Sequence, residues 1–199
     1  MTGRPALFLD RDGVINHDDG YTHRIDEFRF CDGIFMLCAR AQALGYALVI
    51  VTNQAGIGRG YYTEADFARL TAWMLERFAE KGIRFTSVEY CPDHPTHGID
   101  AFRRDNPRRK PGPGMLLDAA ATHGLDLARS AMIGDRKTDM QAALAARVPI
   151  RILLCSDMAE VAGAPPGTYV LPEGALKAAI GLLESLSVQV CGAGAEVIA

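Results

Sequence analysis

Residues 6–16 read Ala-Leu-Phe-Leu-Asp-Arg-Asp-Gly-Val-Ile-Asn. The apolar run Ala6–Leu9 stops abruptly at two carboxylates, Asp10 and Asp12, with Gly13 to bend the chain. A strand buried on both faces reads as continuous apolar sequence, because neither face meets water. The same pattern recurs. Ala47–Val51 runs into Thr52-Asn53-Gln54-Ala55, and Ser130–Ile133 runs into Gly134-Asp135. Further strands are expected at Thr86–Tyr90 and Ile150–Cys155. Amphipathic helices fall between them: Gly33–Leu44, Thr63 to about Lys81, Gly114–His123 and Thr138–Ala146, with Glu173–Leu186 last. Thr63 followed by Glu64 and Asp66 is a capped helix start with acids in its first turn. This alternation predicts an α/β fold: a Rossmann-like parallel sheet with helices on both faces. In such sheets ligands bind beyond the carboxyl ends of the strands. That rule gathers Asp10, Asp12, Thr52, Asn53 and Asp135 at one edge.

The 199 residues suit a single domain over 1–186, followed by a C-terminal tail at 187–199. With 49% hydrophobic and 23% charged residues the composition is globular. A formal net charge of -3 gives no overall basic balance, so no nucleic-acid partner is expected. The most apolar stretches, Tyr46–Val51 and Ile180–Val190, are too short for a membrane span or are broken by Glu184, and no membrane partner is expected. The N-terminal residues lack the apolar core of a secretory signal. Cys31, Cys38, Cys91, Cys155 and Cys191 are odd in number, scattered, and form no CxxC pair. Reduced thiols in a cytoplasmic protein are the expectation.

Asp10 and Asp12 lie two residues apart at the end of a buried strand, and two carboxylates there repel unless a cation neutralises them. Mg²⁺, hard and oxygen-preferring, is the natural candidate. With it, one carboxylate can act as nucleophile and the other as proton shuttle. An Asp-rich turn bent at Gly13 would explain that stretch by itself. The hydroxyl and amides of Thr52–Gln54 suit phosphate oxygens, Lys110 offers a point charge, and Arg109 offers a bidentate clamp. Asp135 supplies a further metal ligand, and Asp139, about one helical turn on, is either a supporting carboxylate or an ordinary helix N-terminal acid.

Together these clusters resemble the haloacid dehalogenase (HAD) superfamily of phosphatases. The pattern DxD, Ser/Thr, Lys and GD appears in order as Asp10/Asp12, Thr52, Lys110 and Gly134-Asp135, covering roughly residues 6–154. The resemblance implies a HAD-like fold, with Asp10 attacking phosphorus and Asp12 serving as proton donor and then base. It also implies Thr52 and Lys110 on the phosphoryl oxygens, and Mg²⁺ on Asp10, the main-chain carbonyl of Asp12, and Asp135. Little length remains for a cap domain, so a capless, open site is expected, with substrate choice left to Asn16–Cys31 and Cys91–Arg109.

The stretches LDRDGVIN, GYTHRIDEFRF, VTNQAGIGRGYYTEADF, YCPDHP, RRKPGPGML and IGDRKTDMQAA are similar to the D-glycero-D-manno-heptose 1,7-bisphosphate 7-phosphatases. Those enzymes serve the making of nucleotide-activated heptose for lipopolysaccharide or surface glycans. By that similarity Asp18, Asp19, Gly20, Tyr21, Asn53, Gln54, Ala55, Arg109 and Arg136 bind a small phosphorylated sugar, Arg109 reading its distal phosphate. The family often carries a loop zinc on Cys-x-His and Cys-x-Cys pairs. Here only Cys91 remains, with Asp93, Asn106 and Arg108 at the other positions, so no structural zinc is expected. Related readings are a histidinol-phosphate phosphatase and a polynucleotide 3'-phosphatase, the latter using the basic run Arg103, Arg104, Arg108, Arg109 and Lys110. A non-catalytic phosphometabolite sensor would lack Asp10 or Asp12, and both are present. A monomer is the simplest assembly for such a domain.

Overall fold

The computed structural model describes residues 3–192. Six strands form one sheet: β1 (Arg4–Leu9), β2 (Ala47–Asn53), β3 (Phe85–Cys91), β4 (Leu125–Gly134), β5 (Ile150–Leu154) and β6 (Tyr169–Leu171). All neighbours pair in parallel, in the order β3-β2-β1-β4-β5-β6. The helices are α1 (Ile34–Ala43), α2 (Ala55–Gly58), α3 (Glu64–Ala79), α4 (Gly114–His123), α5 (Lys137–Ala145), α6 (Met158–Ala162) and α7 (Leu176–Gly192).

The period-two alternation of a strand divides the core into two layers. Leu7 and Leu9 face α1, α3 and α7 through Ile34, Phe78 and Leu183. Ala6 and Phe8 face α4 and α5 through Met115, Leu116 and Met140. Both layers are closed to water, which is why Ala6–Leu9, Ala47–Val51 and Ala131–Ile133 are apolar throughout. Thr63 caps α3 by accepting from Asp66 N–H, while the Asp66 carboxylate accepts from Thr63 N–H.

β4 begins at Leu125, five residues before the expected Ser130. Its first half is polar, yet it pairs with Arg4 and Pro5 before the register shifts between Pro5 and Leu7. Buried Ser130 fills the irregularity, accepting from Ala6 N–H at 2.8 Å and donating to the Asp126 carbonyl at 2.6 Å. The short α2, α6 and β6 are too brief to leave a periodic signal in the sequence. The last helix runs through Gly192, beyond the expected end at Leu186 and into the segment 187–199, which carried no assignment; residues 193–199 lie outside the described residues.

The strand order reverses at β1, with β2 on one side and β4 on the other. The crevice at the carboxyl ends of these three strands is the expected ligand position. The segments joining β1 to α1 and β3 to α4 each carry one 3₁₀ turn, at Ile25–Glu27 and Asp100–Phe102, and the first also has single bridges between Asp12 and Asn16 and between Asn16 and Phe30. No cap domain is inserted among the described residues. No helix there is long and apolar enough to cross a membrane.

Phe78, fully buried, packs against Phe30, Phe35 and Phe85 with ring centroids 4.7 to 5.6 Å away. Phe78→Ala is expected to cost about 3–5 kcal/mol in urea unfolding, and a loss below about 1 kcal/mol would show that this layer is not close-packed.

Candidate active site

β1 delivers Asp10 into the crevice, where its N–H donates to the Ile133 carbonyl at 3.0 Å. The chain then turns sharply, with Ile15 N–H donating to the Arg11 carbonyl and Gly13 N–H to the Asn16 carbonyl. Gly13 has φ +86, and a Cβ there would lie 2.5 Å from the Asp135 carboxyl group. Only glycine meets both demands.

Lys110 is buried at the floor of the site. Its Nζ lies 2.9 Å from Asp10 Oδ1 and 2.5 Å from Asp139 Oδ1, and donates to the Val51 carbonyl at 2.9 Å. Asn53 fixes the Lys110 main chain from both sides, donating to its carbonyl at 3.1 Å and accepting from its N–H at 3.0 Å. Burial opposes the Lys110 charge, but Asp10 and Asp139 outweigh it and hold the ammonium protonated well above its usual range. Burial pushes the Asp10 carboxyl up to about 7; Lys110 opposes this, and Asp139 and Asp12 add to it. Burial, then the charges of Asp10 and Asp139, push Asp135 up to about 8.

Asp12 is held by a group that the spacing of motifs did not single out. Arg11, 1% exposed, forks onto the Asp12 carboxylate at 2.9 to 3.2 Å and donates to the Thr22 carbonyl at 2.8 Å. Asn16 and Gln54 also donate to Asp12. Gln54 further donates to Thr52 Oγ1 at 2.8 Å and accepts from the Tyr62 hydroxyl at 2.5 Å. One network therefore runs from Tyr62 through Gln54 to Thr52, Asp12 and Arg11. Tyr62 stands just before the α3 cap, and nothing in its spacing points to Gln54. Arg11 was legible only as a cation between two aspartates.

Asp12, Thr52, Gln54 and Tyr62 face a cavity of about 340 Å³, with Arg11 and Asn16 behind them. Of the expected residues it contains Asp10, Asp12, Thr52, Asn53, Gln54, Ala55, Lys110 and Asp135, with Asp18, Gly20, Tyr21, Arg109 and Arg136 at its walls. Gly56, Tyr62, Thr138 and Asp139 complete it. Asp19 is not among the lining residues. Its carboxylate is forked by Arg29 at 2.7 and 2.8 Å and lines a separate surface groove. Arg136 spans two loops, 3.2 Å from both Asp18 and Asp135.

Asp10, Asp135 and Asp139 bring ligand oxygens within 4.8 Å of one another. Asp139 is committed to Lys110 and to the Arg136 N–H at the start of α5. Asp135 Oδ1 is buried without a hydrogen-bond partner. The excess of carboxylate over nearby cation, with an orphaned oxygen, fits a hard divalent cation.

A parallel sheet of this order, carrying paired aspartates after its first strand and a buried lysine facing them, defines a HAD-like phosphatase. Residues 107–154 match the HAD-hydrolase-like family model. The D-glycero-alpha-D-manno-heptose-1,7-bisphosphate 7-phosphatase of Burkholderia mallei is 52% identical over 160 residues, covering 80% of this chain and 85% of that protein. The D-glycero-beta-D-manno-heptose-1,7-bisphosphate 7-phosphatase of Escherichia coli K12 is 48% identical over 150 residues, covering 75% and 78%. The solved D,D-heptose 1,7-bisphosphate phosphatase of B. bronchiseptica, complexed with magnesium and phosphate, superposes with a TM-score of 0.76 at 30% identity, covering 93% of this chain and 99% of that one. The chain belongs to the heptose-1,7-bisphosphate 7-phosphatase family.

Arg11→Met keeps the side-chain volume and leaves Asp12 without its fork. A loss of about 3 kcal/mol in chemical denaturation is expected, together with reduced turnover. Wild-type stability in this variant would show that the Arg11–Asp12 pair holds nothing in place.

Proposed function

We propose that this chain removes the 7-phosphate of D-glycero-D-manno-heptose 1,7-bisphosphate, within the making of nucleotide-activated heptose. The observation that carries the chemistry is Asp10, a buried carboxylate at the floor of an open cavity, facing Lys110 at 2.9 Å. Asp10 attacks phosphorus, forming its own O–P bond as the ester O–P bond breaks. Asp12 gives its proton to the departing sugar oxygen. It then takes a proton from the water that attacks the aspartyl-phosphate, so phosphate leaves and Asp10 is restored. Thr52 and Lys110 hold the phosphoryl oxygens. Asp10, the Asp12 carbonyl and Asp135 would hold Mg²⁺, which when bound offsets the repulsion between carboxylate and phosphate. The Arg11 fork and Gln54 keep Asp12 oriented between its two proton transfers.

Substrate recognition falls to Asp18, Gly20, Tyr21, Asn53, Gln54, Ala55, Arg109 and Arg136. Asn53 acts by fixing Lys110, since its side chain is taken up by the Lys110 main chain. Asp19 contributes by ordering its loop through Arg29. No zinc is needed. Asn106 donates to Asp93, Arg108 pairs with Glu89 and Asp118, and His94 N–H donates to the Phe102 carbonyl, so hydrogen bonds and ion pairs tie the loop together.

We further propose a cytoplasmic monomer with no nucleic-acid or membrane partner, a single domain over 1–186 whose last helix runs on to Gly192 into the tail at 187–199. Free thiols at Cys31, Cys38, Cys91 and Cys155 suit a reducing compartment. Within the basic run that would suit a polynucleotide, Arg104 pairs with Asp93 and Arg108 with Glu89.

Phosphate release from both anomers of heptose 1,7-bisphosphate, histidinol phosphate and a 3'-phosphorylated oligonucleotide tests this reading. A kcat/KM preference of about a hundredfold for a heptose bisphosphate, ~2.7 kcal/mol, is expected. A preference for histidinol phosphate would overturn the substrate while leaving the catalytic groups in place. EDTA is expected to abolish turnover and added Mg²⁺ to restore it. Full activity in EDTA would remove the metal from the account.

A further inference from the structure

Asp93 is a fully buried carboxylate outside the reacting groups. A buried charge is costly unless paired and hydrogen-bonded, so its retention calls for a reason. Its Oδ2 accepts from Arg104 Nε at 2.8 Å and from Asn106 Nδ2 at 2.5 Å. These contacts tie the start of the loop between β3 and α4 to its end. Asn106 in turn accepts from Arg108 N–H through its side chain, and from Arg109 N–H through its carbonyl at 2.9 Å. The turn that presents Arg109 is therefore built on the residue that Asp93 grips.

The far end of Arg109 is held from the same place. Its Nη1 donates to the Asp93 main-chain carbonyl at 3.1 Å. Among the described residues Arg109 forms no ion pair, although it is half-buried and lines the cavity. A cation in that setting is a receptor for an anion. The loop is also seated from below. A Cβ on Gly58 would lie 2.3 Å from the Pro92 carbonyl, and Ile99 N–H donates to the Gly58 carbonyl at 2.8 Å. Main chain thus packs on main chain next to Asp93, and little slack remains for its carbonyl to move.

We propose that Asp93 is a positioning residue for Arg109, fixing both its backbone and its guanidinium so that the cavity selects a substrate with a second phosphate. This rests on the reading above that the substrate is a bisphosphate. Asp93 lines neither the cavity nor the carboxylate cluster, so its removal is expected to act on recognition and not on the chemical step.

The experiment compares steady-state kinetics of wild type, Asp93→Ala, Asp93→Asn, Arg104→Ala, Arg109→Ala and the Asp93→Ala/Arg109→Ala double variant, with heptose 1,7-bisphosphate as substrate. Asp93→Ala is expected to raise KM about tenfold, the size of one lost charged hydrogen bond, with kcat within about threefold of wild type. Asp93→Asn keeps an oxygen for Arg104 and Asn106 and is expected to recover most of the loss. The double variant is expected to be no worse in KM than Arg109→Ala, because the two residues act as a unit. Arg104 is exposed, so its variant keeps the test open if Asp93→Ala does not fold; it is expected to raise KM in the same direction by a smaller factor. An unchanged KM in the Asp93 and Arg104 variants beside a damaged Arg109→Ala overturns this inference alone, as do penalties that multiply in the double variant. An unchanged KM in Arg109→Ala overturns the second-phosphate reading, and this inference falls with it.

Discussion

Two carboxylates and a phosphate cannot share a small buried volume unless positive charge is built into its floor. Here that charge is Lys110, lodged between Asp10 and Asp139 and anchored to the Val51 carbonyl. The arrangement is held by three strands at once. β1 carries Asp10, β2 supplies the Val51 carbonyl and the Asn53 amide, and β4 leads to Asp135 and the helix bearing Asp139. If these strands were not adjacent and in parallel register, no single lysine could serve both carboxylates. The strand order with β1 between β2 and β4 is therefore as much a part of the site as its side chains.

The reacting groups are buried or clamped at the strand ends, and several recognising groups lie on the loops around them. Asp10 sits at the end of β1 with Lys110 buried beside it on the loop before α4, and Asp12 is clamped by Arg11, Asn16 and Gln54. Asp18 and Tyr21 lie on the exposed segment after β1, and Arg109 on the loop after β3. With no cap domain among the described residues, the shielding of the cavity falls to the substrate's own bulk and to these two segments. The separation lets one catalytic floor serve different phosphate esters when the two loops change, which is why fold and substrate require separate evidence.

The long apolar strands and the capped α3 were legible in the sequence because burial on both faces and a Thr63–Asp66 box leave strong local marks. Asp10, Thr52, Lys110 and Asp135 stood out because they follow strand or loop ends in the order of the HAD pattern, and the structure brings all four to one cavity. What escaped the sequence was set by tertiary contact. Tyr62 reaches Gln54 across a helical turn, Arg11 is buried through contacts with Thr22, and the polar half of β4 pairs only because Arg4 and Pro5 lie beside it. Asp19 differs from Asp18 by one position, and the turn at Gly20 sends it to Arg29 instead of the cavity. A carboxylate count cannot distinguish them.

The central claim is that Asp10 carries the phosphoryl group between the sugar and water. Acid quenching of a single turnover with Mg²⁺ and heptose 1,7-bisphosphate, followed by peptide mass spectrometry, tests it directly. The account predicts a phosphoryl adduct on the peptide containing Asp10, lost in Asp10→Asn together with phosphate release. Undiminished phosphate release by Asp10→Asn, or an adduct on another residue, would contradict it.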